Sequence, residues 1–559
     1  MLLKKRYKHF NRLRFIANTF ARHGFGYLID SLGLKDILSV PRRFDSGESA
    51  HRLTRGERVR KVFEELGPTF IKLGQVLSTR SDFLPKDIIV ELEKLQDHTP
   101  PVEYKQVNGV ILEELGADAS ELFLWLEEEP LASASIGQVH QARLTSGERV
   151  VVKVQRPNLK DSVETDLEIL FDLARIADRR TAWGERYSLT ELVDEFSRTI
   201  TAEMDFRVEG KNADRFQDNF YRDSRVYIPR VYWDYTTSRV LTMEQISGIK
   251  LSCLDELDRK GYDRSKLAGN FSRIMLKQIL LDGFFHADPH PGNVFVLEGG
   301  VFGFLDFGMV GNLTRQRMAQ LAKLLVALAG RNSEALLFGL LDMGIAPQDI
   351  NRRDLKADID RMWEKYLDKP VNEIKVGAAF NELLDLTFKY RIKMPPEFIM
   401  LSKSLIITEG VVRVLDPDLS VMGVVGPFAR TLIRRQFSPG NMRRVMQSTI
   451  TEYAYIISEL PRLLRGLRER VEQHEVRAVL RHEGMERGLS KLDQIANRLS
   501  FSIVLLAFSI LMAGLVVASA VGSRTNRIIL DFPIIEAGFI VGGLLFLWLI
   551  FSIIRSGRF

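Results

Sequence analysis

The spacing of hydrophobic and polar positions changes along the chain, and the changes mark its elements. Residues 54–125 recur with helical spacing, and one helix opens at Gly67–Pro68, where proline suits the first helical position. From Pro130 the period shortens to two. Ile136–Leu144 and Arg149–Gln155 read as strands joined by the turn Thr145–Ser146–Gly147, with Val150, Val152 and Val154 on one face and Lys153 on the other. Helical spacing returns over 160–218, a strand follows at Arg239–Glu244, and 264–284 reads as a helix. A polar loop then leads to a short hairpin of Val294–Val296 and Phe302–Leu305, and beyond Gly308 the pattern is helical almost to residue 500.

The last sixty residues differ in kind. Phe501–Val521 runs 21 residues without a charge and Ala537–Ile554 runs 18, which predicts a pair of membrane-spanning helices. Arg487, Lys491 and Arg498 before the pair, with Arg555 and Arg558 after it, favour a cytoplasmic main domain, whereas Arg524 and Arg527 between the spans oppose this slightly. At the other end, Lys4, Lys5, Arg6, Lys8, Arg12 and Arg14 are interleaved with Tyr7, Phe10, Leu13, Phe15 and Ile16. That pattern is an amphipathic helix, which either lies on anionic lipid or packs on its own domain. No long apolar core follows it, so no secretory leader is expected.

Composition refines this little. The formal charge is +6, from 78 Lys and Arg against 72 Asp and Glu, and the basic groups sit beside the expected membrane segments without an aromatic strand face, which argues against nucleic acid. A single cysteine, Cys253, excludes an intrachain disulfide and a multi-cysteine zinc site.

Four separated elements fit nucleotide chemistry. Lys153 stands alone among valines on its strand, after the small-residue loop Ala132–Ser133–Ala134–Ser135–Ile136–Gly137, whose backbone can approach phosphate oxygens closely. In His286–Ala287–Asp288–Pro289–His290–Pro291–Gly292–Asn293, Asp288 and Asn293 have the spacing of a kinase catalytic loop: a carboxylate to orient or deprotonate a hydroxyl, and an amide oxygen for magnesium. The two histidines sit across prolines rather than on a helix face, which argues against zinc. Asp306–Phe307–Gly308 places a carboxylate at a strand end, where it suits a magnesium ion bridging phosphates. Finally, Glu203, Asp205 and Glu209 lie on one expected helix, and one of these carboxylates is needed to hold Lys153. Outside these, Gly74 interrupts the helix carrying Lys72 and Gln75, which predicts close packing against another backbone.

Together these stretches resemble the UbiB/AarF family of atypical kinase-like proteins, bacterial relatives of the mitochondrial coenzyme Q proteins, strongly over about residues 55–330. Lys72–Leu73–Gly74–Gln75 is similar to the family's K-x-G-Q signature, and Ala132–Val139, including Gln138 and Val139, to its alanine-rich nucleotide loop, with Ser133 where many members carry alanine. The resemblance implies that Lys153 pairs the phosphates and Glu209, that Glu203 and Asp205 form the E-x-D motif, and that Asp288, Asn293 and Asp306 are the catalytic and two metal-binding positions. Glu244, at the end of its strand, joins the nucleotide-binding set, and Lys72 is expected to belong to a cover over the site, partnered by Glu203 and Asp205.

The expectation is therefore an α+β, bilobal protein-kinase-like fold with an N-terminal helical extension and a C-terminal transmembrane helical hairpin. Its divisions are a 1–125 extension, a 126–248 N-lobe with inserted helices, a 249–500 helical C-lobe and a 501–559 membrane pair. The expected function is a membrane-associated, ATP- and Mg2+-dependent atypical kinase or ATPase at the cytoplasmic inner membrane. The resemblance implies support of ubiquinone biosynthesis, near membrane lipid, lipid intermediates and quinone-pathway enzymes. The alternative is a nucleotide-binding scaffold for those enzymes; homo-oligomerisation stays open. Peptide phosphorylation is disfavoured, because only Met309–Leu313 separate Gly308 from the next helical run and no Ala–Pro–Glu follows.

Overall fold

The computed structural model describes residues 2–33, 53–78, 84–95, 100–181, 188–330, 332–347, 350–367 and 375–421, with scattered positions beyond. The chain divides into two units, Met1–Val445 and Met446–Phe559. Nearly all described residues belong to the first.

An antiparallel sheet forms in the order β1 (Phe123–Leu126), β3 (Gly137–Leu144), β4 (Arg149–Gln155) and β6 (Val240–Glu244), with β2 (Ala132–Ser133) paired to β3. The expected hairpin is thus present, and its valine alternation decides which face is core. Val150, Val152 and Val154 are buried with Ala142, Leu144 and Val240 against Val107, Val110 and Ile111 of helix Tyr104–Leu115. Lys153 is left on the opposite face. The stretch 54–125 is not wholly helical, because Phe123–Leu126 pairs antiparallel with β3.

A second sheet has the order β5 (Val226–Tyr227), β10 (Phe302–Phe304), β9 (Val294–Val296) and β7 (Ile249–Lys250), in which only β5 and β10 run parallel. The helical reading after Gly308 also needs correcting. β11 (Val310–Asn312) pairs antiparallel with β8 (Phe284–His286) before helix Arg315–Ala329 begins. Gly311 fits there because a Cβ would lie 2.1 Å from the Phe285 ring.

Glu203 and Asp205 do not share a helix. Helix Leu189–Glu203 ends at Met204, and Asp205 caps a new helix, Phe206–Phe220, by accepting from the Arg207 N–H. The N-terminal helix Leu2–Phe20 resolves its two readings by packing on its own unit: Ile16 and Ala17 are buried, and Arg12 reaches Asp166 and the Leu66 carbonyl. Helix Pro68–Ser78 begins at the expected proline. A Cβ on Gly74 would meet the side chains of Leu95 at 2.3 Å and Phe63 at 2.7 Å, so the close packing is present but is made against core side chains rather than against another backbone.

The C-terminal expectation is corrected. No helix among the described residues is long and apolar enough to cross a membrane. A crossing needs about 20 consecutive apolar helical residues, whereas the expected spans 501–521 and 537–554 lie outside the described residues except at single positions such as Ile503, Ile510 and Ile540. No described helix therefore bears out the expected transmembrane hairpin, nor the membrane-associated form of the function and the inner-membrane localisation that rested on it.

Candidate functional site

A cavity of 730 Å³ opens where the first sheet, helix Pro68–Ser78, helix Lys86–Leu92 and the helical region meet. Ala134, Ile136, Lys153, Glu203, Asp205, Glu209, Asp288, Asn293, Asp306 and Lys72 all line it. Chain order is widely scattered here, and convergence of these groups on one cavity is the principal structural result.

Lys153 projects from β4 and donates to Glu209 Oε2 at 2.7 Å, with the Phe206 ring 5.1 Å from its ammonium. Burial works against the Lys153 charge, but Glu209 and Asp306 outweigh it and raise its pKa, so the ammonium is retained. Lys72 Nζ lies 3.5 Å from Glu203 Oε2. Asp205, the other expected partner, is instead gripped by Arg207 at 2.8 and 2.7 Å.

Asp306 adopts φ 57°, a left-handed conformation that aspartate tolerates because its short side chain bonds locally. Its Oδ1 accepts from Gly308 N–H at 3.1 Å. The protein mass around it disfavours charge, yet Lys153 and that N–H hold the carboxyl below the usual carboxylate range. His286 is buried and neutral, its pKa lowered by burial. Its Nδ1 accepts from Asp288 N–H at 3.2 Å, which leaves Nε2 to donate to the Leu305 carbonyl at 3.3 Å. One imidazole thereby joins the backbones of the Asp288 loop and the Asp306 strand.

The small-residue loop Ala132–Gly137 is tied from behind. Arg156 donates to the Ala134 carbonyl at 2.9 Å, to Ser133 Oγ at 2.9 Å and to the Pro100 carbonyl at 2.8 Å. Ala132 and Ser133 pair with Val139 and Gln138 across β2 and β3. The Gln138 side chain bonds both backbone groups of Val102. Gly137 admits no Cβ, which would fall 2.7 Å from the Val154 carbonyl, and Ser135 is fully buried. Glu244 is not among the cavity residues. Its carboxylate accepts from Tyr227 Oη at 2.6 Å and from Arg230 N–H, and burial with this bond pushes the Tyr227 hydroxyl up to about 12.

Two cavity-side features escape sequence reasoning. Asn212, one turn beyond Glu209, donates to the Phe307 carbonyl at 2.9 Å, so one helix holds both Lys153 and the segment bearing Asp306. Its i,i+3 spacing from Glu209 is the only sequence signal. Lys403, on helix Pro396–Leu415, lies 3.5 Å from Asp288 Oδ2, and nothing local to Asp288 points to it. Asn212→Leu is expected to lower nucleotide turnover about tenfold, within the loss that small misplacements of reacting groups produce. Steady-state assays beside an unchanged thermal midpoint check this; unaltered turnover would make the bond incidental.

The oxygen donors Asp306 and Asn293 fit a magnesium ion, which takes few protein ligands and completes its shell with phosphate and water. Among the described residues no cluster of three or more His, Cys, Asp or Glu offers a dedicated metal cage.

Comparison with known proteins agrees with this geometry. The ABC1 atypical kinase-like domain matches residues 94–338, the UbiB helical domain 359–420, and the ABC1/UbiB kinase-like C-terminal domain 483–555. The chain is 36% identical to the uncharacterized protein sll1770 of Synechocystis over 438 residues, 78% of this chain and 75% of that protein. It is 37% identical to a probable protein kinase UbiB of Pseudomonas paraeruginosa over 425 residues, 75% and 79% of the two chains. An uncharacterized protein from the hydrogenase 1 5′ region of Clostridium pasteurianum matches at 31% over 553 residues, 98% of this chain and 99% of its own.

Proposed function

This chain belongs to the UbiB/AarF family of atypical kinase-like proteins, and we propose that it is an ATP- and magnesium-dependent phosphoryl-transfer enzyme or ATPase. The observation that carries the reading is the meeting of Lys153, paired to Glu209 at 2.7 Å, with Asp288, Asn293 and Asp306 around one cavity. A protein that only bound partners would have no need to bring these four groups together.

Lys153 receives phosphate oxygens, held charged and aimed by Glu209. Asn293 and Asp306 would hold magnesium, which neutralises phosphate charge. Asp288 orients the attacking hydroxyl and accepts its proton. The residues behind the nucleotide loop keep its backbone close to the phosphates, and Lys72 with Glu203 forms part of the wall above them. The segment Met309–Leu313 carries β11 (Val310–Asn312), which leaves no long ledge for a peptide and favours water or a small hydroxyl compound as acceptor. Support of isoprenoid quinone synthesis is the pathway assignment that the family resemblance favours.

The test is ATP turnover by the purified full chain with and without magnesium, compared with Asp288→Asn. Magnesium-dependent turnover lost in Asp288→Asn is expected. Tight ATP binding without turnover under all conditions would favour the scaffold reading instead.

A further inference from the structure

The loop that carries Asp288 has no cation of its own. Between Ala287 and Asn293 there is neither lysine nor arginine, although a carboxylate that accepts a proton beside a transferring phosphoryl group works in a strongly anionic setting. The cation nearest to hand comes from elsewhere in the chain. Lys403 Nζ lies 3.5 Å from Asp288 Oδ2, and both side chains are about one-third exposed, at 33% and 35%. Both line the same cavity.

The placement is held firmly by the next residue. Ser404 is fully buried and donates to the His286 carbonyl at 2.9 Å, while Phe398, Leu401 and Leu405 are buried on the same helix. The helix therefore docks on the backbone that precedes Asp288, with Lys403 directed to its carboxylate. Glu93 also lines the cavity; burial raises its carboxyl pKa and the charge of Lys403 opposes that rise. Lys403 thus pairs with Asp288 on the side of the cavity formed by the helical region, whereas Lys153 and Lys72 serve the side nearer the first sheet.

We propose that Lys403 is a positioning residue for phosphoryl transfer, an ammonium that the helical region supplies to Asp288 in place of one on the loop. This rests on the phosphoryl-transfer reading above. In the step, the acceptor oxygen bonds to the γ-phosphorus and the bond from that phosphorus to the β,γ-bridging oxygen breaks. The acceptor proton passes to Asp288, and ADP leaves with the bridging oxygen's electron pair. Lys403 holds the Asp288 carboxylate toward the acceptor throughout, and its charge offsets the negative charge arriving at that side. Since it acts through Asp288 and not on ground-state nucleotide, its loss changes kcat and leaves KM for ATP in place.

The experiment compares steady-state ATP turnover of the full chain with Lys403→Met, Lys403→Gln and Lys403→Arg in saturating magnesium. Both uncharged variants are expected to lose about tenfold or more in kcat while KM for ATP stays within about twofold, and Lys403→Arg should recover most of the loss. Two uncharged side chains of different polarity guard against a packing defect peculiar to one. Wild-type kcat in both uncharged variants, an equal loss in Lys403→Arg, or a rise in KM alone would each overturn the proposal while the wider reading stands. Absence of turnover in the unmodified protein would overturn both.

Discussion

Asp306→Asn is expected to lower magnesium-dependent ATP turnover by about 10²-fold or more, because it removes charge from the position where, on the proposed reading, phosphate and metal would meet. The substitution is unusually clean. Asparagine also tolerates φ near 57° and can accept from Gly308 N–H, so the turn persists. What is lost is the negative charge facing Lys153 and His286. Calorimetric titration with ATP and magnesium, beside turnover, provides the check. Unchanged affinity together with unchanged turnover would remove Asp306 from the site.

The second large effect is on stability. Asp166 is 1% exposed, and Arg12 Nε and Nη2 reach its two oxygens at 2.7 and 2.9 Å. Arg12→Met leaves that carboxylate buried without its cation, at an expected cost of about 3 kcal/mol. Replacing both partners, Arg12→Met with Asp166→Leu, should restore most of the loss, since removing a buried pair outright is far cheaper than breaking it. Urea denaturation of the three proteins measures this. A loss below about 0.5 kcal/mol in Arg12→Met would place the pair among ordinary surface contacts. The Leu66 carbonyl shares the same guanidinium at 2.8 Å, one residue before Gly67 turns the chain into the helix of Lys72. Arg12→Met is therefore also expected to loosen that helix.

Much of the site was legible because local patterns carry it. Alternating valines expose the face of Lys153, small residues mark the loop of Ala134 and Ile136, and fixed spacing joins Asp288 to Asn293. The break at Met204 was not legible. Methionine is a good helix former, and the break follows from Asp205 capping the next helix while Phe206 enters the core. β11 was hidden by its length of three residues and its central glycine, whose fit depends on a ring from another strand. Lys403 meets Asp288 only through tertiary packing, which no local period encodes.

The pairing of β11 with β8 bears on how such a site is governed. Val310, Gly311 and Asn312 lie opposite His286, Phe285 and Phe284, and the ladder is extended by Ala287 N–H to Met309 and Leu313 N–H to Gly283. Asn212 holds the Phe307 carbonyl from the other side. Turning the Asp306–Gly308 segment over would unzip all of these bonds, leaving buried donors and acceptors without partners. Such a segment has no inexpensive off position. On the proposed reading, control of turnover falls on admission to the cavity rather than on reshaping its floor, and the backbone amides of Gly311 and Leu313, which point at β8, should be among the slowest to exchange with deuterium.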